Sequence, residues 1–178
     1  MINQNKSSLT DFSSCHIKII KHIHDLGELP NRLMSEGYSD ELSQNAGNLS
    51  IFYKSVIIKH HKDEEVVLFQ AIKDVLNKHL DQAFEIAGYI GRLTEEHRHL
   101  ERLWKLVDSD LKKLEKGKQV DINSVLVTQL AKDYLAHAQF EEQIFLPIAE
   151  DILSHYEKAA LGMSLHMRYA EPTFRPYI

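Results

Sequence analysis

The sequence contains little cysteine, glycine and proline, and these shortages exclude several classes of protein. One cysteine in 178 residues rules out a disulfide framework and a zinc site built from thiolates. Seven glycines and four prolines, with no glycine-rich run before a helix, argue against a phosphate-binding loop and against an all-β fold with many tight turns. The length suits a single domain over residues 1–178, which can bury its own core without disulfides.

Charge and hydropathy exclude further classes. The chain has 21 basic and 26 acidic residues, a formal net charge of −5, and no lysine and arginine cluster of the kind that binds nucleic acid. No apolar stretch approaches the length of a membrane span, and the N-terminal residues lack the apolar core of a signal peptide. Together with the single cysteine, these features predict a cytoplasmic protein that binds neither nucleic acid nor membrane.

Apolar residues recur at helical spacing in four long segments separated by polar breaks. The pattern predicts helices over residues 11–35, 49–78, 81–116 and 121–153. Ser154 and Glu157 have the spacing of a capping box, which predicts a short fifth helix to about residue 168. Amphipathic helices joined by mostly short connections predict an all-α protein, an up-down-up-down four-helix bundle whose core spans about residues 10–168.

Prolines and polar residues make some helix boundaries less regular. Gly27 and Pro30 predict a kink or an early end of the first helix near Leu29, because proline removes a backbone donor and clashes with the preceding turn. Pro147 should bend the fourth helix or end its regular part. The sequence pattern does not decide whether residues 40–46 are helical.

Histidine is what the sequence has in excess, with eleven residues among 178, and it is the commonest protein ligand for metals. Residues four apart on a helix point in the same direction, and three histidine–glutamate pairs have this spacing on apolar faces. The pairs are His60/Glu64, His97/Glu101 and His137/Glu141. Burying a carboxylate beside a histidine is costly without a partner, and a metal ion supplies the opposite charge.

An internal repeat supports the metal interpretation. Residues 60–70 align without gaps to residues 137–147, which places His60 opposite His137 and His61 opposite Ala138. We therefore interpret His61 as a residue beside a ligand or on the surface, rather than as one of the main ligands. His16 and His97 stand at similar distances before the two aligned segments.

The chain thus resembles two copies of one helical hairpin, each with a histidine on its first helix and His-x-x-x-Glu on its second. Antiparallel packing of the hairpins would bring four imidazoles and two carboxylates together. Inward glutamates and histidines of this kind build di-iron carboxylate sites in helical bundles. The set suits two iron ions, with each glutamate able to bridge them and each histidine terminal.

The order His, His-x-x-x-Glu, His, His-x-x-x-Glu resembles the hemerythrin-like (HHE cation-binding) family of four-helix bundles. The resemblance rests on Cys15-His16, residues 60–65, Glu96-His97 and residues 137–147, and it spans about residues 12–168. It implies a non-haem di-iron cofactor, two Fe ions with an oxo or hydroxo bridge. By position it assigns as ligands His16, His60, Glu64, His97, His137 and Glu141.

Two positions depart from the family pattern. Gln70 stands where a proline is usual, which affects helix shape but not ligation. Oxygen-carrying hemerythrins place another histidine four residues after the third-helix ligand, where this sequence has Glu101. Glu101 could bind metal, hydrogen-bond a ligand histidine or block that position, and it argues against simple reversible oxygen carriage.

Several other residues are candidates for supporting roles. His24 is an alternative to His16 if Gly27 and Pro30 twist the first helix. Tyr53 and Tyr134 are expected to be core aromatics, and either could hydrogen-bond a bridging ligand. Cys15 is expected to be a small buried hydrophobe. The remaining histidines are expected on the surface or in loops, namely His22, His79, His99, His155 and His166.

These features predict a protein that binds or senses oxygen, nitric oxide or peroxide, or that handles iron. The alternatives are a di-iron enzyme that reduces peroxide or nitric oxide or repairs iron centres, and a metal-free structural bundle. Relatives that repair iron centres have an additional N-terminal domain with paired cysteines. The first helix here is predicted from about residue 11, so we expect that role less.

Overall fold

The computed structural model describes residues 9–77, 83–153 and 157, and within them the chain forms four long helices and no strand. The helices are α1 (Thr10–Glu36), α2 (residues 40–76), α3 (Ala83–Glu115) and α4 (residues 124–152). Helix α1 contacts α2 and α4, and α3 contacts the same two helices. The all-α four-helix bundle is therefore confirmed. The predicted fifth helix lies outside the described residues, apart from Glu157.

Neighbouring helices run antiparallel. The Ser43 hydroxyl, near the start of α2, donates to the carbonyl oxygens of Leu114 and Glu115 at the end of α3, at 3.1 and 2.8 Å. Gly27 of α1 lies against Ala131 of α4. Among the described residues no helix is both long and apolar enough to cross a membrane.

Short π-helical turns interrupt α2 and α4. In α2 the α-helical segments Asp40–Phe52, Ile58–Asp63 and Phe69–Leu76 are joined by π turns at Tyr53–Ile57 and Glu64–Leu68. In α4 the π turn Glu141–Phe145 separates Ser124–Phe140 from Leu146–Ile152. A π turn adds one residue to a helical turn and is frequent at functional sites. Two of these turns begin at the predicted bridging glutamates.

The range of α1 agrees with the helix predicted over residues 11–35, and only the alternative of an early end is overturned. The helix continues through Pro30 to Glu36, so an early end near Leu29 is wrong. Leu26 and Leu29 are buried in this turn, and their packing outweighs a proline cost of about 3 kcal/mol. The helix ends at Gly37, whose positive φ of 74° suits glycine and whose N–H donates to the Leu33 carbonyl.

Capping residues set the starts of α2 and α4. The Ser39 hydroxyl accepts the N–H of Leu42 at 3.2 Å, so α2 begins at Asp40 rather than Leu49, and residues 40–46 are helical. The Asn123 side chain caps α4 by accepting the N–H of Leu126 at 3.1 Å. Polar caps thus fix where the two helices enter the bundle.

The core is divided into two apolar clusters along the bundle axis. The larger cluster contains residues from 15–29, 42–57, 100–114 and 122–138. The smaller cluster contains Leu9 and residues from 68–76, 86–93 and 145–153. In α2, α3 and α4 the predicted ligands fall in sequence around the boundary between these clusters. The bundle therefore places a polar layer between two apolar ones.

Two leucines of α3 differ in burial, so their substitution should have different effects on stability. Leu111 is fully buried in the larger cluster, whereas Leu106 is 56% exposed. We expect Leu111→Ala to lower the free energy of unfolding by about 2–5 kcal/mol through lost burial and the cavity left behind. Leu106→Ala is the control and should change it by less than about 0.5 kcal/mol. Urea unfolding followed by circular dichroism measures both, and equal losses would contradict the described packing of α3.

Candidate metal centre

All four helices contribute to one cluster of buried ionisable side chains. Each member is at most 1% exposed. The members are His16 of α1, His60, His61 and Glu64 of α2, His97 of α3, and His137 and Glu141 of α4. The structure therefore brings together all six predicted ligands, and His61 lies in the same cluster.

One half of the cluster is formed by α1, α2 and α4. The Nε2 atoms of His16 and His60 lie 2.8 Å apart. His60 Nε2 is 3.3 Å from Glu64 Oε1, and His16 Nε2 is 3.0 Å from Glu141 Oε2. One donor atom from each of these four residues lies within 4.8 Å of the others, a spacing that a single cation can span.

The other half consists of three imidazoles. The rings of His61 and His97 stack with centroids 4.1 Å apart, and the ring of His137 lies 4.9 Å from that of His97 at a steep angle. One nitrogen from each ring lies within 4.8 Å of the others. These nitrogens form a second group that could hold a cation.

The two glutamates lie between the two groups. Glu64 directs Oε1 toward His60 and Oε2 toward His97, each at 3.3 Å. Glu141 Oε2 lies 3.3 Å from His137 Nε2 and 3.0 Å from His16 Nε2. Each carboxylate therefore faces imidazoles of both groups.

Several atoms that point into the cluster make no hydrogen bond within the described part of the chain. They are His97 Nε2, His137 Nε2, Glu64 Oε2 and both carboxylate oxygens of Glu141. Buried polar atoms nearly always have a partner, because leaving them unpaired costs free energy. Imidazole nitrogens and carboxylate oxygens are ligands for iron and related cations, so the residues present fit the metal that their pattern implied.

Without a cation, protons balance the buried charge. Burial alone would lower the pKa of His16, but the carboxylates of Glu141 and Glu142 outweigh it and raise the pKa to about 10. The same competition, with Glu64 as the main carboxylate, raises the pKa of His97 to about 9. His60 and His61 differ, since burial and neighbouring imidazoles lower their pKa well below the ordinary value. Two imidazoles are thus charged and two neutral near pH 7.

The two central carboxylates also differ from each other. Burial and the charge of Glu141 raise the pKa of Glu64. Burial raises the pKa of Glu141 as well, but the imidazoles of His137 and His16 outweigh it and lower the pKa to about 2. The two like charges therefore disfavour each other, and positive charge between them would relieve that repulsion.

A second set of carboxylates holds the outer nitrogens of three histidines. His16 Nδ1–H donates to Glu142 at 2.6 Å, His97 Nδ1–H donates to Glu65 at 2.8 Å, and His137 Nδ1–H donates to Glu96 at 2.9 Å. A carboxylate only accepts, so each bond fixes the hydrogen on Nδ1 and leaves Nε2 directed inward. Carboxylate–histidine pairs of this kind orient metal ligands.

Sequence reasoning missed these outer carboxylates, although the repeat contained a signal. Glu65 and Glu142 occupy the same position in the two aligned segments, directly after the inward glutamate. Each bonds to the cluster histidine on the first helix of the opposite hairpin, Glu65 to His97 and Glu142 to His16. Arg98 pairs with Glu65, and Arg92 pairs with Glu96 at 2.7 Å. The second glutamate of His-x-x-x-Glu-Glu therefore joins the two hairpins across the cluster.

His61 requires a correction. A surface position for it is wrong, since its side chain is 1% exposed and lies within the cluster. Ala138, its counterpart in the repeat, is also 1% exposed. The position after the predicted ligand histidine is therefore buried in both hairpins, and only the residue type differs between them.

The remaining candidates lie around the cluster or away from it. Glu101 Oε1 is 3.6 Å from His61 Nδ1 and 2.8 Å from Arg98 Nη1, so Glu101 lies beside a cluster histidine. It belongs to neither of the two groups whose atoms could hold a cation. The Tyr134 hydroxyl is 3.4 Å from His61 Nε2. Tyr53 is buried and stacks on Trp104 with centroids 3.8 Å apart.

The structure distinguishes His16 from the other histidines considered in α1. The His24 side chain is 73% exposed and belongs to neither group, whereas His16 is buried in the cluster. His22 is half-buried and stacks on Phe52 rather than being fully solvated. Cys15 is buried in the larger apolar cluster as expected, and burial raises the pKa of its thiol to about 12. His99 is exposed as expected, and His79, His155 and His166 lie outside the described residues.

Stability of the metal-free protein should depend on pH in both directions. The folded pKa values of His16 and His97 lie above the ordinary 6.5, so their contribution is complete below pH 6.5 and is lost as pH rises toward about 9 to 10. The folded pKa of Glu141 lies below 4.5, so its contribution is lost as pH falls toward about 2. Neutral His60 and His61 add to the loss on acidification.

We therefore expect chelator-treated protein to be most stable near pH 5 to 7, roughly, with a lower urea midpoint at pH 9. The variant His16→Gln should lose part of the alkaline decrease, since it lacks one of the two raised groups. A midpoint that stays constant or rises from pH 7 to pH 9 in the unsubstituted protein would contradict this assignment.

Comparisons with known proteins agree with this geometry. Residues 8–149 match the family model described as the hemerythrin HHE cation binding domain, and this range includes every residue of the cluster. An uncharacterized protein of Haemophilus influenzae is 24% identical over 132 residues, a match that covers 74% of this chain and 73% of the relative. The chain belongs to the hemerythrin HHE cation-binding domain family.

Proposed function

We propose that the protein holds two iron ions in this cluster and uses them to bind or sense oxygen, nitric oxide or peroxide, or to handle iron. The proposed ligands are His16, His60, Glu64, His97, His137 and Glu141. One observation carries the proposal: each of two fully buried carboxylates faces imidazoles of two separate groups. Mixed nitrogen and oxygen ligation with shared carboxylates favours iron over zinc.

Bound iron would supply redox chemistry and affinity for small oxygen- or nitrogen-containing ligands. The chain's own contribution is to exclude water and large molecules. The cluster lies between two apolar layers, and its members are at most 1% exposed. Such a centre suits a diatomic molecule or peroxide, which is small enough to reach it through side-chain motion, rather than an extended substrate.

The outer carboxylates supply orientation. Glu142, Glu65 and Glu96 each accept a hydrogen bond from Nδ1–H of an imidazole and so hold its Nε2 inward before any ligand arrives. Partners of this kind increase the basicity of a ligand histidine and reduce the freedom that it must lose on binding metal. The arrangement supports a resident metal rather than a transient one.

Loss of a central carboxylate should remove the metal. Protein purified aerobically without chelator should contain about two irons per chain and absorb in the near ultraviolet, as expected for the ligand count. Glu64→Ala and Glu141→Ala should each reduce iron to well below this value, because a shared ligand is lost from both positions.

The control is Glu28→Ala, which removes an exposed glutamate of α1. It should keep the iron content of the unsubstituted protein, as measured by elemental analysis, with circular dichroism verifying the fold of each variant. Absence of metal from the unsubstituted protein, or unchanged iron in both carboxylate variants, would refute the di-iron assignment. Oxygen added to the reduced protein then distinguishes a stable spectral adduct, which supports binding, from direct oxidation or peroxide turnover, which supports an enzyme.

Two adjacent glutamates of α3 allow the orientation of a ligand histidine to be tested separately from a loss of surface charge. Glu96 holds His137 Nδ1, whereas Glu95 is exposed on the same helix. We expect Glu96→Gln to weaken iron binding by roughly 10- to 100-fold, while Glu95→Gln leaves it unchanged. Competition with a chromogenic chelator for ferrous iron measures both. Equal affinities in the two variants would show that the outer hydrogen bond does not support ligation.

A further inference from the structure

We propose that His61 is a metal ligand that α2 contributes, completing a three-imidazole position with His97 and His137. The inference rests on the proposed function, since it concerns the same centre. It assigns a residue that the internal repeat had placed outside the ligand set.

Helix α2 directs two consecutive histidines into the cluster. Adjacent residues of a regular α-helix point about 100° apart, so they rarely serve one buried centre. His60 and His61 nevertheless are 0% and 1% exposed. They lie in the short segment Ile58–Asp63 with a π turn on each side, and their rings are 6.1 Å apart. One helix therefore serves both halves of the cluster, His60 beside His16 and His61 beside His97.

Three imidazole rings converge in the half of the cluster that contains His61. One nitrogen each from His61, His97 and His137 lies within 4.8 Å of the others. The ring of His61 stacks on that of His97 and lies 5.8 Å from that of His137 at 77°. Without His61 this half of the cluster would have two imidazoles, so His61 turns a pair of ligands into a set of three.

The carboxylate of Glu101 lies beside the ring of His61 without bonding to it. In His16, His97 and His137 a carboxylate accepts Nδ1–H and leaves Nε2 inward. Glu101 Oε1 is 3.6 Å from His61 Nδ1, beyond hydrogen-bond distance, and it accepts a hydrogen bond from Arg98 instead. His61 Nδ1 therefore makes no hydrogen bond to this carboxylate.

The competing explanation is a histidine that only fills the core. The polar atoms of such a side chain usually have hydrogen-bond partners. Its Nδ1 makes no hydrogen bond among the described residues, and its Nε2 is 3.4 Å from the Tyr134 hydroxyl, at the outer limit for a hydrogen bond. This weak contact does not account for a fully buried imidazole, whereas metal ligation does.

The test compares His61→Ala with Tyr134→Phe, which removes the hydroxyl contact and leaves the imidazole. We expect His61→Ala to retain about one iron per chain where the unsubstituted protein has about two, and Tyr134→Phe to retain both. Added imidazole should restore the second iron to His61→Ala, because it fits the space that the side chain leaves. His61→Gln, which conserves volume, replaces the alanine variant if that one does not fold.

The outcomes distinguish the two proposals. Iron-free unsubstituted protein would refute the di-iron function itself. Two irons of unchanged affinity in both His61 variants, beside iron loss in Glu64→Ala and Glu141→Ala, would refute the His61 assignment alone. An iron loss of equal size in Tyr134→Phe would also refute it, since the hydroxyl contact would then be the feature that matters. X-ray absorption at the iron edge gives a further readout. The mean number of imidazoles per iron should fall in His61→Ala and stay unchanged in Tyr134→Phe.

Discussion

Seven ionisable side chains lie in a layer between two apolar clusters, and the cost of burying them is the constraint on which the molecule depends. Moving one charged group out of water costs several kcal/mol even after relaxation, and opposite charge must offset it. Protons on His16 and His97 provide part of that charge in the metal-free chain. A cation placed between Glu64 and Glu141 would provide more, which couples metal binding to folding.

The π turns of α2 and α4 allow consecutive residues of one helix to contact different parts of the cluster. A regular helix presents one residue in each turn to a given point. The turns that begin at Glu64 and Glu141 are wider. There the inward glutamate is followed directly by a second glutamate that reaches across the bundle. His60 and His61 lie between two such turns and serve the two halves of the cluster.

The outer hydrogen bonds make the site part of the fold rather than an addition to it. Glu65 of the first hairpin holds His97 of the second, and Glu142 of the second holds His16 of the first. The two bonds join neighbouring helices of the two hairpins and are related to each other as the internal repeat predicts. A change in the packing of the hairpins would therefore move the inward nitrogens, and metal binding would favour one arrangement of the four helices.

The sequence by itself determined the helical segments and the six residues that the cluster brings together. Spacing along one helix identified the histidine–glutamate pairs, and the internal repeat together with the family resemblance identified His16. Residues four apart share a face, so His60 with Glu64 and His137 with Glu141 were predictable without any knowledge of neighbouring helices. Only the tertiary structure decided the positions of His61 and the outer carboxylates, the course of α1 through Pro30, and the exclusion of His24. These features depend on distances between helices, on burial of leucines around the proline, and on π turns that change the direction of side chains. Spacing along one chain contains none of that information.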